Sequence, residues 1–263
     1  MTPFLAFVVL LVLGVVSAAA PSFLPRRRGV RVGLLVVSLL GILAKAVLCF
    51  WRGPERLLAA SDLFVYFERD VAVPFGVFFF AVASGLIDDP RNRRAVRVMP
   101  FLLIAYLVVS NAWTLRRPTC YDRSDGIWHR GVCIQSSDFT CGAASIATVF
   151  SMLGVSGATE HEAAELSLTI PGRGVTDLGA ALALRKKLPG RKVEIRFLPL
   201  DELSKVKPPA LLPLRYNFWF DHMTVFMGME GDTFVVGDPL RGPVLMTRAE
   251  LEGRYLGDVI TVE

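Results

Sequence analysis

Histidine and cysteine are scarce in this chain, three and four respectively in 263 residues. Cys120, Cys133, His129 and Cys141 lack the paired short spacings from which zinc sites are built, so no metal and no cofactor is expected. No Gly-x-x-x-x-Gly-Lys-Ser/Thr phosphate loop is present, which leaves nothing to bind a nucleotide or power transport. The net charge of +5 comes largely from arginine clusters beside apolar segments. Such clusters orient membrane helices and meet anionic headgroups, so the basic balance is no argument for nucleic acid. No basic residue precedes the first apolar segment, although Ser17-Ala18-Ala19-Ala20 resembles a signal-peptide cleavage site. That segment therefore reads as a span, with cleavage as its rival.

What the chain has in excess is apolar residues, 53% of the total. They are concentrated before about residue 114. Four stretches there, 4–20, 32–51, 71–87 and 98–113, are each near the roughly 17–25 residues that cross a bilayer core as a helix. Lys45 lies near enough to the end of its stretch to snorkel. Pro74 and Pro100 fall near the starts of theirs, where proline is tolerated. Leu63–Phe67, followed by Glu68-Arg69-Asp70, suggests an interfacial helix or an early part of a longer span. Arg26, Arg27, Arg28 and Arg31 fill the first loop and Arg91, Arg93, Arg94 and Arg97 the third, whereas basic and acidic residues mix in the second. The positive-inside rule puts the first and third loops in the cytoplasm. The expectation is a multi-pass cell-membrane protein whose region 115–263 is extracytoplasmic, with Arg116 and Arg117 weighing mildly against it.

Region 115–263 reads as helices first and strands later. Apolar residues at Ala144, Ile146, Ala147, Phe150 and Leu153, with Gly154 after them, predict a buried helix over 141–153. Asp138 or Thr140 is its candidate N-cap. Further helices are predicted over 159–168 and 176–188, the latter opened by the turn Gly172-Arg173-Gly174-Val175-Thr176. Segments 192–198, 210–216, 222–230 and 233–237 are short and β-rich, and Glu230-Gly231-Asp232 forms a hairpin turn between the last two. Helices followed by an antiparallel sheet indicate an α+β domain. The aromatic run 216–220 reads as packing before a core strand, with a substrate groove as the alternative.

Chemistry is concentrated in a few residues of that region. Cys141 opens a predicted helix, where backbone N–H groups and the helix dipole favour a thiolate. His222 opens a strand, and Asp221 beside it points to the opposite face, which leaves Asp238 as the better partner for the imidazole. His129 and His161 sit in polar surroundings and read as solvated. Cys49, in a predicted span, reads as a small apolar core residue. Cys120 and Cys133 flank a polar, aromatic loop. In an oxidising compartment they would pair as a disulfide, leaving Cys141 the unpaired thiol of the domain; otherwise both remain free.

Residues 133 to about 255 resemble the peptidase C39 family of papain-like cysteine peptidases, best known as leader-cleaving domains of bacteriocin exporters. The resemblance rests on Gln135 six positions before Cys141, on Cys141-Gly142 with small residues after it, on the turn from Gly172 to Thr176, on His222 opening an apolar strand, and on Gly237-Asp238-Pro239 with Gly242 following. It implies Cys141 as nucleophile, His222 as general base, Asp238 as orienting residue, and the Gln135 amide, with the Cys141 N–H, as an oxyanion hole. Gly142 is expected to leave backbone room for substrate. In exporters the peptidase precedes the membrane region and is cytoplasmic, whereas here it follows the spans. That order points away from double-glycine leaders and toward a secreted or envelope peptide, an exposed protein loop, or the chain itself. The expected activity is hydrolysis of peptide bonds. Two other readings stay open, a noncatalytic C39-like domain that binds peptides or partner subunits, and acyl transfer to an amine through the same thioester.

Overall fold

The computed structural model describes residues 3–23, 27–50, 70–115, 127–217 and 220–263. It divides into two units, Met1–Arg117 and Pro118–Glu263. Cys120, the 63–67 segment and Arg116 and Arg117 lie outside the described residues.

The first unit is helical. Its helices among the described residues are α1 (Pro3–Ala19), α2 (Arg28–Phe50), α3 (Ala72–Ala83) and α4 (Pro90–Leu115). Among the described residues, three helical windows, Leu5–Ser22, Arg28–Val47 and Pro90–Ala112, are long and apolar enough to cross a membrane. The stretch expected as the third span differs. Its helix α3 has 12 residues, about 18 Å at ~1.5 Å per residue, short of a ~30 Å hydrocarbon core. At its C-terminus the Ser84 hydroxyl turns back onto the Ala81 carbonyl. The Arg31 guanidinium then takes the Gly85 carbonyl at 2.9 Å, where a β-carbon on Gly85 would collide with it. α3 packs against α1, α2 and α4.

Helix α4 begins eight residues earlier than its apolar run suggests. The Asp89 carboxylate accepts the N–H groups of Arg91 and Asn92 at 3.2 and 3.1 Å, and Pro90 occupies the first helical position, which its fixed φ suits. Pro100 is consequently inside the helix and not in its first turn as expected. It has no N–H to give the carbonyl one turn back, an arrangement that membrane helices accommodate.

The second unit is the α+β domain. A hairpin of β1 (Ile127–His129) and β2 (Val132–Ile134) precedes three helices, α5 (Cys141–Met152), α6 (Glu160–Ser167) and α7 (Asp177–Lys187). Then come β3 (Val193–Phe197), the short α8 (Leu200–Leu203), β4 (Ala210–Arg215), β5 (Asp221–Glu230), β6 (Thr233–Asp238), β7 (Gly242–Met246), α9 (Arg248–Glu252) and β8 (Asp258–Val262). The sheet order is β3-β8-β4-β5-β6-β7, with every neighbouring pair antiparallel.

Helix α5 is buried from Gly142 through Phe150, so it is wrapped on all sides, as its small residues permit. It lies against β5 and β2. The Ser145 hydroxyl donates to the Met223 carbonyl at 2.9 Å, and the Thr148 hydroxyl accepts the Cys133 N–H at 2.9 Å. These two bonds set the height of α5 relative to β5 and β2. A core of Leu212, Leu214, Phe226, Phe234, Val236, Met246, Leu251 and Val259, with neighbours from α8, supports the sheet.

Candidate active site

Cys141 is the first residue of α5. Thr140 holds the N-cap position but makes no side-chain cap. Its hydroxyl is engaged in the preceding turn, accepting the Ser137 N–H at 3.1 Å and donating to the Ser137 carbonyl at 3.1 Å. The helix's N-terminal amides are therefore not consumed by a cap, and the Gly142 N–H serves the Cys141 sulfur. Asp138, the other cap expected, is exposed in the turn.

His222 and Asp238 come from neighbouring strands, β5 and β6. Both are buried, whereas Asp221 is exposed, as strand alternation requires. His222 Nε2 lies 2.8 Å from Asp238 Oδ1. The same carboxylate oxygen accepts the Leu240 N–H at 2.9 Å, so the turn after β6 fixes the acid that fixes the ring. With Nε2 on Asp238, the other ring nitrogen is left for the hydrogen bond between His222 and Cys141. The ring of Tyr216 stands 5.8 Å from that of His222, centroid to centroid.

The electrostatics follow from these contacts. Burial alone pushes the Cys141 thiol up. The hydrogen bond from His222, the Met223 N–H, the imidazolium charge and the Gly142 N–H outweigh it, and the net direction is down. For His222, burial pulls the pKa down, but hydrogen bonds to Asp238 and Cys141 and their charges raise it from 6.5 to about 9. Burial likewise raises Asp238, and its bonds to His222 and Leu240 bring it below the ordinary carboxylate value. Thiolate and imidazolium thus stabilise one another. Cys133 shows the opposite outcome in the same domain. It is a fully buried free thiol, pushed up to about 12 by burial and the Glu160 charge. Its expected disulfide partner, Cys120, lies outside the described residues.

Gln135 is tied to the same region. Its N–H donates to the Pro239 carbonyl at 2.9 Å, which joins the loop before Cys141 to the turn that holds Asp238. Its side-chain Nε2 donates to the Ser137 carbonyl at 2.7 Å, and Oε1 is buried with no hydrogen-bond partner among the described residues. One Nε2 hydrogen remains for an oxyanion in this orientation.

The surroundings of two groups differ from expectation. The space beside Gly142 is filled by protein and is not open to substrate. A β-carbon there would stand 1.9 Å from Cγ1 of Val175, the residue carried by the turn from Gly172 to Thr176. Gly174 of that turn, at φ +84°, lies against the Phe139 carbonyl. The turn's glycines thus deliver Val175 to the first turn of α5. Gly142→Ala is expected to overpack this contact at a cost of ~1–3 kcal/mol, because Val175 is β-branched and stiff. Scanning fluorimetry of the solubilised protein should read this as a Tm lower by several degrees, and an unchanged Tm would show that Val175 moves aside freely. The second change concerns the aromatic run. Tyr216 and Phe220 are 60% and 66% exposed, so they do not pack into the core, and Phe218 and Trp219 lie outside the described residues.

His129 is exposed, as expected, and His161 sits beside Glu165 in α6 at 3.5 Å. No group of histidine, cysteine and acidic residues suited to a metal occurs among the described residues.

A helix that starts at a thiol, laid across an antiparallel sheet that carries a buried His–Asp pair at one end, is a papain-like α+β cysteine peptidase fold. Its place among such folds follows from the sequence over the same residues. The chain belongs to the peptidase C39 family, whose family model matches residues 130–263. An uncharacterized protein of Methanothermobacter thermautotrophicus is 32% identical over 133 residues, 50% of this chain and 87% of the relative. Among solved structures, the chain is similar to the peptidase domain of Streptococcus ComA, a bi-functional ABC transporter involved in a quorum sensing pathway. That likeness has a TM-score of 0.46 and 22% identity and covers 51% of this chain and 98% of the other. It is also similar to a double glycine motif protease from an AMS/PCAT transporter, in complex with its leader peptide. There the TM-score is 0.42 and the identity 21%, over 54% of this chain and 94% of the other.

Proposed function

We propose that the protein is a membrane-anchored cysteine peptidase in which Cys141, His222 and Asp238 form the catalytic triad and the Gln135 amide stabilises the oxyanion. The observation that carries this reading is the buried His222–Asp238 pair, 2.8 Å from Nε2 to Oδ1, together with the lowering of the Cys141 thiol by its neighbour His222. The thiolate attacks the scissile carbonyl carbon, and its electron pair forms the sulfur–carbon bond while charge moves to oxygen. The Cys141 N–H and Gln135 Nε2 face that charge. Collapse of the intermediate expels the amine, which takes its proton from the His222 imidazolium. Water, activated by the neutral imidazole, then releases the acid from the thioester.

The domain lies outside the cytoplasm in this reading, and peptide or protein in that compartment is its substrate class. Arg31 at the start of α2 bonds Gly85 after α3, and Arg93 bonds the Ile87 and Asp88 carbonyls at 2.8 and 3.1 Å. These bonds support placing both arginine-bearing loops at one end of the helical unit. At its other end, Asn111 late in α4 donates to the Asp70 carboxylate before α3 at 2.9 Å. The chain then crosses four times, with α3 as part of one crossing, and the positive-inside rule puts the peptidase on the side opposite the arginines.

A membrane-impermeant, cysteine-reactive peptidyl electrophile applied to intact cells tests both halves. Labelling is expected in wild type, absent in Cys141→Ala and slower in Gln135→Ala. Labelling only after lysis would reverse the topology and bring cytoplasmic substrates back. No labelling in either state, with the domain folded, would leave a noncatalytic binding domain.

A further inference from the structure

Glu160 is a charged residue in an unusual place. It is 4% exposed and opens α6, where Thr159 caps the helix by accepting the Glu162 N–H at 3.1 Å. With the cap supplied by Thr159, the Glu160 carboxylate is free to reach out of the helix. Its Oε1 accepts the Ser136 N–H at 3.0 Å, across 24 residues of sequence. The helix's positive end favours a carboxylate at this position, which offsets the cost of burying it.

The turn thus held is the one that carries the oxyanion donor. Three backbone N–H groups in a row are each fixed from a different element. Gln135 is bound to the Pro239 carbonyl, Ser136 to Glu160 and Ser137 to the Thr140 hydroxyl. Of these anchors, Glu160 is the one that ties the turn to α6. The bond is also charge-assisted, which makes it stronger than a bond between neutral groups.

We propose that Glu160 is a positioning residue for acyl transfer, holding the Gln135–Ser137 turn so that the Gln135 amide meets the oxyanion. This rests on the oxyanion role assigned to Gln135 above. Displacing a positioned group by about 1 Å costs on the order of 100-fold in rate. The triad stands on separate bonds, through Asp238, Leu240 and Met223, so its ionisation does not depend on Glu160. Ser136 is itself exposed, and water can replace the lost acceptor, which lets the fold survive the change.

The test compares two reactions of one thiol in the full-length protein. Acylation by p-nitrophenyl acetate forms a sulfur–carbon bond, passes through an oxyanion and expels p-nitrophenolate. Alkylation by iodoacetamide displaces iodide at a saturated carbon and forms no oxyanion. Glu160→Ala is expected to slow acylation by about 10- to 100-fold while the alkylation rate and its pH profile stay within about twofold of wild type. Glu160→Gln keeps an acceptor oxygen of the same reach and should recover acylation to within about threefold. Acylation unchanged in Glu160→Ala, or acylation and alkylation falling together, would overturn the proposal. Gln135→Ala serves as the reference. If wild-type Cys141 is not acylated, or Gln135→Ala acylates at the wild-type rate, the oxyanion reading fails and this proposal with it; a null result confined to the Glu160 variants removes this proposal alone.

Discussion

In His222→Ala, alkylation of Cys141 at pH 7 is expected to fall by at least about tenfold, and its pH dependence to move to the alkaline side of an ordinary thiol. Burial acts on Cys141 in one direction, upward, and it remains when the imidazole is removed. Of the contributions that lower the thiol, the His222 hydrogen bond and the imidazolium charge vanish together, and the Met223 and Gly142 N–H groups are left to oppose burial alone. Each unit of pKa gained is a tenfold loss of thiolate at neutral pH. Iodoacetamide kinetics from pH 5 to 10, with mass spectrometry to separate Cys141 from the buried Cys133, measure this directly. An unchanged rate and profile would break the thiolate–imidazolium pair as an explanation.

The same shifts fix how stability should vary with pH. The folded-state pKa of His222 is raised from 6.5 to about 9, so its contribution is complete below about 6.5 and lost as pH rises through about 9. Asp238 is depressed, so its contribution is present above the ordinary carboxylate range and lost as pH falls. Wild type should be most stable between these limits, and His222→Ala should flatten the alkaline side.

Much of the candidate site was legible because its residues announce themselves locally. Cys141 opens a helix, His222 is the second residue of a strand and Asp238 ends one before a proline. The segments 192–198, 210–216, 222–230 and 233–237 could be read from β-rich composition between proline and glycine signals and from the Glu230-Gly231-Asp232 turn, and the strands fall within a residue of them at each end. β8 was not legible, since its place between β3 and β4 depends on pairs such as Arg196 with Val259 and Leu211 with Ile260. No local signal encodes a partner that far away. β7 was missed for another reason, because Gly242-Pro243 reads as a turn and only the pairing with β6 makes it a strand. The contact that follows the end of α3 is likewise non-local, since the Arg31 guanidinium on the Gly85 carbonyl comes from 54 residues away. Gly142 illustrates the limit most clearly. The sequence marks it as small, but whether the space belongs to substrate or to Val175 is decided by a turn more than thirty residues later.

Asp238→Asn is expected to lower kcat for peptide or ester turnover by about 10²- to 10⁴-fold with little loss of fold. The substitution keeps shape and removes charge, so what it changes is which protons His222 can hold. Oδ1 of Asp238 accepts two bonds, from His222 Nε2 at 2.8 Å and from the Leu240 N–H at 2.9 Å. An asparagine that keeps its oxygen there preserves both bonds but no longer stabilises the imidazolium, and the His222 pKa falls back from about 9. An asparagine that turns its NH2 to the ring instead forces the proton onto the nitrogen facing Cys141, where it blocks proton transfer from the thiol. Either arrangement weakens the ion pair, and the two are separable. The first shifts the basic limb of the kcat/KM profile toward neutrality while leaving its shape, whereas the second depresses the rate at every pH. A variant within about threefold of wild type across that range would show that His222 is oriented by something other than Asp238.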